Sequence, residues 1–86
     1  MREQKLPPEY SKQAGKCLNS LDKKAQQRLR GGIEKIPLGD ISPYKAKHGY
    51  FRLRIGDYRV LFKWMSVEQI YIALIDNRGQ AYKKGV

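Results

Sequence analysis

Apolar and polar residues alternate along the stretch Tyr50 to Phe62, which reads YFRLRIGDYRVLF. Because successive side chains of a strand point to opposite faces of a sheet, this alternation predicts two antiparallel strands. Gly56-Asp57 between them fits a two-residue type II′ turn, in which glycine takes the positive φ of the first position. The turn fixes a register that pairs Ile55 with Tyr58, Arg54 with Arg59, Leu53 with Val60, Arg52 with Leu61 and Phe51 with Phe62.

This register separates the side chains of the hairpin into two faces. One face is apolar and is predicted to join the core: Phe51, Leu53, Ile55, Tyr58, Val60, Phe62 and Trp64. The opposite face holds Tyr50, Arg52, Arg54, Arg59, Leu61 and Lys63. Like charges opposite each other on a ladder destabilise it by up to about 1 kcal/mol, and a face that serves solubility normally mixes both signs. Since the only acid of the hairpin is Asp57 at the turn, the pattern favours an anionic partner.

Two apolar stripes at helical spacing precede the hairpin. The first consists of Tyr10, Ala14, Cys17, Leu18 and Leu21, and the second of Ala25, Leu29, Ile33 and Ile36. Asn19-Ser20 suits a break between two helices, and Pro37 ends the second helix. Gly31-Gly32 inside it is explained either by close packing of the two helices or by fraying.

The remaining segments predict strands or loops. Residues 2–6, REQKL, are a candidate edge strand, and residues 37–49, PLGDISPYKAKHG, are predicted to form a loop because Pro and Gly interrupt any period. A further strand, QIYIALID, is predicted over residues 69–76. The sequence leaves open which face of the sheet Tyr71 occupies. The fold class is therefore α+β: an N-terminal helical hairpin packed on a small twisted antiparallel β-sheet, in one domain of residues 1–86.

In this fold the helices cover the apolar face of the sheet and leave the arginine face open. Successive strands are antiparallel, so the last strand ends near Gly56-Asp57. This brings Asn77, Arg78 and Tyr82 close to Arg54 and Arg59.

Composition adds a strong positive charge to this picture. The 86 residues carry a net charge of +10, which argues for nucleic acid or an acidic protein as partner. A single cysteine, Cys17, excludes an intramolecular disulfide and fits a reducing cytoplasm, where we expect it to be a small buried apolar residue. There is no apolar run typical of a signal peptide or of a membrane span, which needs about 20 residues. We therefore predict a soluble cytoplasmic protein with no membrane partner.

The run GYFRLRIGDYRVLFKW, followed by a hydrophobic strand and DNRGQAY, resembles the RelE/ParE superfamily of bacterial and archaeal toxins, and more closely its RelE branch. The order of elements agrees along nearly the whole chain. The most specific parts are the hairpin and the terminal Arg-x-x-x-Tyr of Arg78 and Tyr82. The resemblance implies a RelE-like fold and the toxin of a type II toxin-antitoxin system. It further implies a ribosome-dependent endoribonuclease that cleaves mRNA in the A site, with a cognate antitoxin, the ribosome and mRNA as partners.

The resemblance also implies roles for single residues. Arg52 matches a basic residue of the family's mRNA groove, Arg59 the hairpin arginine that stabilises charge on the scissile phosphate, and Arg78 a second catalytic arginine. Tyr82 matches the tyrosine that stacks on or orients the substrate nucleotide. The predicted catalytic set is Arg52, Arg59, Arg78 and Tyr82, and the predicted RNA-binding set is Lys47, Tyr50, Arg54, Lys63 and Lys83. Tyr50 is a departure, since some active members have a lysine there.

Metal-free chemistry fits these residues. The eight acidic residues are scattered, and one cysteine and one histidine make no zinc site, so no metal or cofactor is expected. RNA supplies its own nucleophile, the 2′-hydroxyl, while arginine holds phosphate oxygens bidentately. Arginine stays protonated, so the general base is Tyr82, Tyr50, Lys47, His48 or a group of the ribosome.

Two other functions remain open at this point. One is a ParE-like toxin that inhibits DNA gyrase through protein contacts, for which the terminal residues would be dispensable. The other is a basic module that binds RNA or the ribosome without catalysis, which predicts salt-sensitive binding and no cleaved product.

Overall fold

The computed structural model describes residues 2–77 of the chain. Along this part the elements are β1 (Glu9–Tyr10), α1 (Lys12–Ser20), α2 (Lys23–Glu34), β2 (Asp40–Pro43), β3 (Tyr50–Ile55), β4 (Tyr58–Trp64) and β5 (Ile70–Asn77). Within these residues five strands form one sheet in the order β1-β5-β4-β3-β2. The predicted α+β fold is confirmed. The sheet is antiparallel from β2 to β5, but β1 pairs with β5 in parallel, so the purely antiparallel sheet was wrong at that edge.

The predicted hairpin is confirmed in every pair. β3 and β4 pair with Ile55 opposite Tyr58, Arg54 opposite Arg59, Leu53 opposite Val60, Arg52 opposite Leu61 and Phe51 opposite Phe62. Gly56 has φ +58°, whereas no other residue type has a positive φ in residues 2–77. Because a type I′ turn requires positive φ at both central positions, these angles select type II′.

Two predictions about the edges of the sheet were wrong. The N-terminal edge strand lies at Glu9–Tyr10 and not at residues 2–6, although Glu3 and Lys5 donate backbone hydrogen bonds to Val67 and Glu68. Residues 40–43, expected in a loop, form the opposite edge strand β2. Both edge strands are short, and β2 ends at a proline, so neither has enough alternating residues to stand out in the sequence.

The helices begin and end close to their predicted positions. Ser11 caps α1 by accepting a hydrogen bond from the Ala14 amide at 3.1 Å, and Asp22 caps α2 by accepting one from the Ala25 amide at 2.9 Å. These caps satisfy amide groups that a helix leaves free at its start. Tyr10 therefore precedes α1 and lies in β1, although its ring still packs against the core.

The core lies between the helices and one face of the sheet. Its buried members come from both helices, from Ile36 just after α2 and from three strands: Ala14, Leu18, Leu29, Ile33, Ile36, Leu53, Val60, Phe62, Ile70, Ile72 and Ile75. Tyr58 and Trp64 are half-buried and pack against it, as predicted. Within residues 2–77, no helix is both long and apolar enough to cross a membrane.

Cys17 is half-buried in α1 and packs against this core. Burial raises the pKa of the Cys17 thiol, and the negative charge of Asp76 adds to the effect. The neutral thiol is thereby favoured, so Cys17 acts as a small apolar residue.

The two glycines of α2 have different surroundings. A methyl group at Gly32 would collide with Cδ1 of Ile55, whereas one at Gly31 would meet no atom within 4 Å. Gly32 thus allows α2 to approach the hairpin closely. Of the two explanations that the sequence left open, neither applies to Gly32, whose close contact is with Ile55 of the sheet and not with the other helix.

This difference makes matched substitutions informative. We expect Gly31→Ala to raise the free energy of unfolding by up to about 1 kcal/mol through helix propensity. Gly32→Ala should lower it by about 1 kcal/mol, because overpacking outweighs the same propensity gain. Urea denaturation of both variants measures the two changes. Adding Ile55→Val, which removes Cδ1, should relieve most of the loss, and equal stability of the two alanine variants would contradict the close contact.

Candidate active site

The face of the sheet that points away from the helices is organised in three rows that run across the strands. The row nearest the hairpin turn places two arginines between two carboxylates: Asp40 on β2, Arg54 on β3, Arg59 on β4 and Asp76 on β5. The adjacent arginines were predicted, but the flanking acids were not. Because they come from neighbouring strands, the acids reduce the like-charge repulsion that the hairpin alone would suffer.

Arg59 forms an ion pair with the outer carboxylate on β5. Its Nη2 donates a hydrogen bond to Oδ2 of Asp76 at 3.2 Å, and the two side chains remain 38% and 42% exposed. Exposed ion pairs contribute about 0.2–1 kcal/mol. A partner held this weakly can be replaced by a phosphate, which accepts two hydrogen bonds from the same guanidinium.

The middle row contains Ser42, Arg52, Leu61 and Leu74. Arg52 and Arg59 meet in a pocket of about 230 Å³ that is also lined by Tyr44, Leu61, Leu74 and Asp76. We call it the arginine pocket. Nε of Arg52 is buried there and has no hydrogen-bond partner among residues 2–77. Leu61 and Leu74 form the apolar part of the pocket wall.

The third row lies farthest from the hairpin turn and combines aromatic rings with ammonium groups. It consists of Tyr50 on β3, Lys63 on β4 and Tyr71 on β5. We call it the tyrosine-lysine row. Nζ of Lys63 lies 5.5 Å from the ring centre of Tyr50 and 5.7 Å from that of Tyr71, and Nζ of Lys47 lies 4.7 Å from the ring centre of Tyr50. Tyr71, which the sequence allowed on either face, thus belongs to the open face.

The predicted site residues therefore occupy different parts of one surface. Arg52 and Arg59 share the arginine pocket, Arg54 is exposed beside it in the first row, and Lys47, Tyr50 and Lys63 come together in and beside the third row. His48 is exposed in the loop before β3, on a separate cleft with Tyr50 and Lys63. Arg78, Tyr82 and Lys83 lie outside the described residues.

Sequence reasoning missed Tyr44 and Asp76 as members of the pocket. Tyr44 follows β2, and its amide donates a hydrogen bond to the Tyr50 carbonyl at 2.9 Å, which directs the loop back over the open face. No periodicity marks this loop in the sequence. Asp76 was assigned to a strand but to no face.

A β-bulge in β5 explains the position of Asp76. Phe62 lies opposite Ile72 and Leu61 opposite Leu74, so Ala73 is an extra residue without a partner on β4. The extra residue reverses the alternation of faces. Ile72 and Ile75 therefore both enter the core, while Asp76 reaches the arginine side.

Residues at the start of α1 hold the bulge in place. Oγ of Ser11 donates a hydrogen bond to the Ala73 carbonyl at 2.7 Å. The amide of Gln13 forms two bonds to Ile75, because its Nε2 donates to the carbonyl and its Oε1 accepts from the backbone N–H, both at 3.1 Å. The side chain of Gln13 thereby replaces a neighbouring strand at the edge of β5.

No protein-family model matches the sequence, and no curated protein matches it. Solved structures do match its fold. A chain of the RelB-RelE antitoxin-toxin complex from Methanococcus jannaschii superimposes with a TM-score of 0.66 over 88% of this chain and 96% of that one, at 21% identity. A chain of the toxin-antitoxin complex RelBE2 from Mycobacterium tuberculosis gives a TM-score of 0.64 over 83% and 95%, at 22% identity.

This chain has the fold of the RelE toxins. The RelE-like architecture expected from the hairpin and its flanking elements is confirmed. In this RelE fold the arginine pocket and the tyrosine-lysine row share the face that the helices leave open. Within residues 2–77, no three histidine, cysteine or acidic side chains group together in a way that could hold a metal ion.

The ion pair between Arg59 and Asp76 leads to a test of anion binding. We expect Asp76→Asn to bind a short 2′-O-methyl RNA oligonucleotide about two- to five-fold more tightly, since the phosphate no longer displaces an exposed carboxylate. Fluorescence anisotropy at fixed salt measures the affinity. Asp40→Asn, at the other end of the same row, removes the same charge without freeing Arg59 and should change affinity less. Equal gains would indicate that net charge, and not exchange at Arg59, controls binding.

Proposed function

We propose that this protein is the toxin of a type II toxin-antitoxin system and acts as a ribosome-dependent endoribonuclease that cleaves mRNA in the A site. The single observation that carries this proposal is the meeting of Arg52 and Arg59 in one pocket on a RelE fold. Both arginines line the same pocket of about 230 Å³, which we assign to a phosphate of the RNA strand. Fold likeness to chains of two toxin-antitoxin complexes supports the toxin class.

The proposed reaction needs no metal. The 2′-hydroxyl oxygen attacks the adjacent phosphorus, the new O–P bond closes a 2′,3′-cyclic phosphate, and the bond to the 5′-oxygen breaks. Negative charge grows on the phosphate oxygens during this step. Arg59, released from Asp76, and Arg52 stabilise that charge, which is the task for which fixed cations in a pocket are most effective.

Protons must also move, and arginine does not accept them. The 2′ proton goes to a base, and the departing 5′-oxygen takes up a proton. The arginine pocket contributes two groups that sequence reasoning did not consider, the Asp76 carboxylate and the Tyr44 hydroxyl. They join Tyr50, Lys47, His48, Tyr82 and groups of the ribosome as candidates for these transfers.

The remaining predicted residues complete the proposed site. Arg78 is proposed as the second catalytic arginine and Tyr82 as the residue that stacks on or orients the nucleotide. Arg54, Lys47, Tyr50, Lys63 and Lys83 are proposed to bind the RNA strand on either side. A cognate antitoxin, acidic where it covers the arginine pocket, is proposed as the neutralising partner in the cytoplasm.

Primer extension on a defined mRNA in a reconstituted translation reaction tests the proposal. The wild-type protein should cut at A-site codons only when ribosomes are present. Arg59→Ala should slow cleavage by about 10²- to 10³-fold, as the loss of one transition-state donor does elsewhere, and Arg59→Ala with Arg78→Ala should slow it further. Lys12→Ala with Lys16→Ala removes two exposed charges from α1 and should leave cleavage unchanged.

Other results would assign other functions. Intact mRNA with folded, ribosome-bound wild-type protein would contradict the nuclease and support a basic binding module. Toxicity that survives in the folded Arg59→Ala, Arg78→Ala protein would also contradict it, and inhibition of DNA gyrase would then be measured.

A further inference from the structure

The tyrosine-lysine row differs in chemistry from the arginine pocket. Tyr50, Lys63 and Tyr71 lie on three adjacent strands and are half-buried, so each ring or ammonium group keeps one side toward solvent. The Lys63 ammonium is about equally far from the two ring centres, at 5.5 and 5.7 Å. Two carboxylates of the open face, Asp40 and Asp76, lie in the row nearest the turn. A third, Glu9 on the edge strand β1, is exposed and in register with Tyr71, so it borders the tyrosine-lysine row at the edge of the sheet.

The contacts within the row are weak enough to be replaced. A cation near an exposed aromatic ring contributes about 0.5–1 kcal/mol. A nucleobase stacked on an aromatic side chain contributes about 1–3 kcal/mol. A base therefore displaces the lysine from the ring with a net gain, and the freed ammonium remains close enough to bind the phosphate of the same nucleotide.

The row is also correctly placed for a strand that enters the arginine pocket. Lys63 and Arg59 lie on the same face of β4, four residues apart, which corresponds to about 13 Å at the usual rise of a strand. This separation spans a few nucleotides of an extended single strand. The loop before β3 places Nζ of Lys47 4.7 Å from the ring centre of Tyr50. The adjacent cleft is lined by His48, Lys63 and Trp64 among other residues.

We propose that Tyr50 and Tyr71 form a base-stacking subsite for single-stranded RNA, with Lys63 and Lys47 bound to the flanking phosphates. The subsite holds nucleotides a few positions away from the cleaved bond and orients the strand in the arginine pocket. The inference rests on the proposed function for RNA as the ligand, but it concerns binding and not cleavage.

Binding of a short single-stranded 2′-O-methyl RNA oligonucleotide tests the subsite without cleavage, because this RNA lacks the attacking hydroxyl. Tyr71→Leu should weaken binding by about 5- to 100-fold, the equivalent of one lost stacked base. Tyr71→Phe keeps the ring and should stay within about two-fold of wild type, since stacking uses the π-face. Fluorescence anisotropy gives the affinities, and circular dichroism with urea denaturation verifies that each variant is folded.

A second pair of variants separates stacking from charge. The slope of log affinity against log salt is negative, and Lys63→Met should make it less steep by about 0.7, the value for one phosphate contact on a single strand. Tyr71→Leu should leave that slope unchanged. Tyr50→Leu provides the same aromatic test on β3 if Tyr71→Leu fails to fold.

The possible outcomes distinguish an RNA-stacking subsite from other roles of the two tyrosine rings. Unchanged RNA affinity in folded Tyr71→Leu and Tyr50→Leu proteins would overturn the subsite and leave the rings as cross-strand stabilising pairs. An equal loss in Tyr71→Phe would also overturn it, because the hydroxyl and not the ring would then be the contact. A loss seen only for an acidic polypeptide such as polyglutamate would make the row a protein-binding surface instead.

The subsite and the proposed nuclease fail independently. Wild-type protein that binds RNA through Tyr71 but never cuts mRNA on ribosomes would overturn the nuclease and retain the subsite. Normal cutting, with the same codon pattern, by a Tyr71→Leu protein of unchanged affinity would overturn the subsite and retain the nuclease.

Discussion

The extra residue Ala73 in β5 determines which side chains of this strand face the core and which face the open surface. Without it, strict alternation would place Asp76 on the same side as Ile70 and Ile72, inside the core, where an unpaired carboxylate is strongly destabilising. With it, Ile75 enters the core and Asp76 meets Arg59. The hydrogen bonds from Ser11 and Gln13 hold this irregularity at an edge that β1 covers only as far as Ile72. The start of α1 thus fixes the composition of a pocket on the opposite face of the sheet.

The position of Asp76 also affects the distribution of charge on the open face. Two arginines directly opposite each other would destabilise an isolated hairpin, but Asp40 and Asp76 border them on either side. The two positive charges of the first row are therefore balanced by two negative charges. In the second row, Nε of Arg52 has no hydrogen-bond partner among the described residues. The fold thus tolerates a basic pocket because the sheet supplies acids at its flanks and leaves its centre positive.

The hairpin could be predicted in full because alternation and a glycine-containing turn are local signals, and the register follows from them. The helices were predicted nearly as well from apolar spacing, although the caps at Ser11 and Asp22 set their true starts. β1 and β2 were missed because strands of two and four residues carry too little pattern, and their pairing depends on distant partners. Tyr44 and Asp76 were missed for a related reason: a loop without periodicity positions one, and a bulge stabilised by residues some sixty positions away positions the other.

A common property connects the arginine pocket with the tyrosine-lysine row. In each, a cation has a partner within the chain that contributes little: Asp76 for Arg59 and the two rings for Lys63. These contacts restrict long side chains, which would reduce the conformational entropy lost on binding of the proposed RNA ligand. They are nevertheless weaker than the bidentate phosphate contact or the stacked base that would replace them. A surface built in this way is ordered before its ligand arrives and still exchanges partners readily, which suits the proposed binding, cleavage and release of an RNA strand.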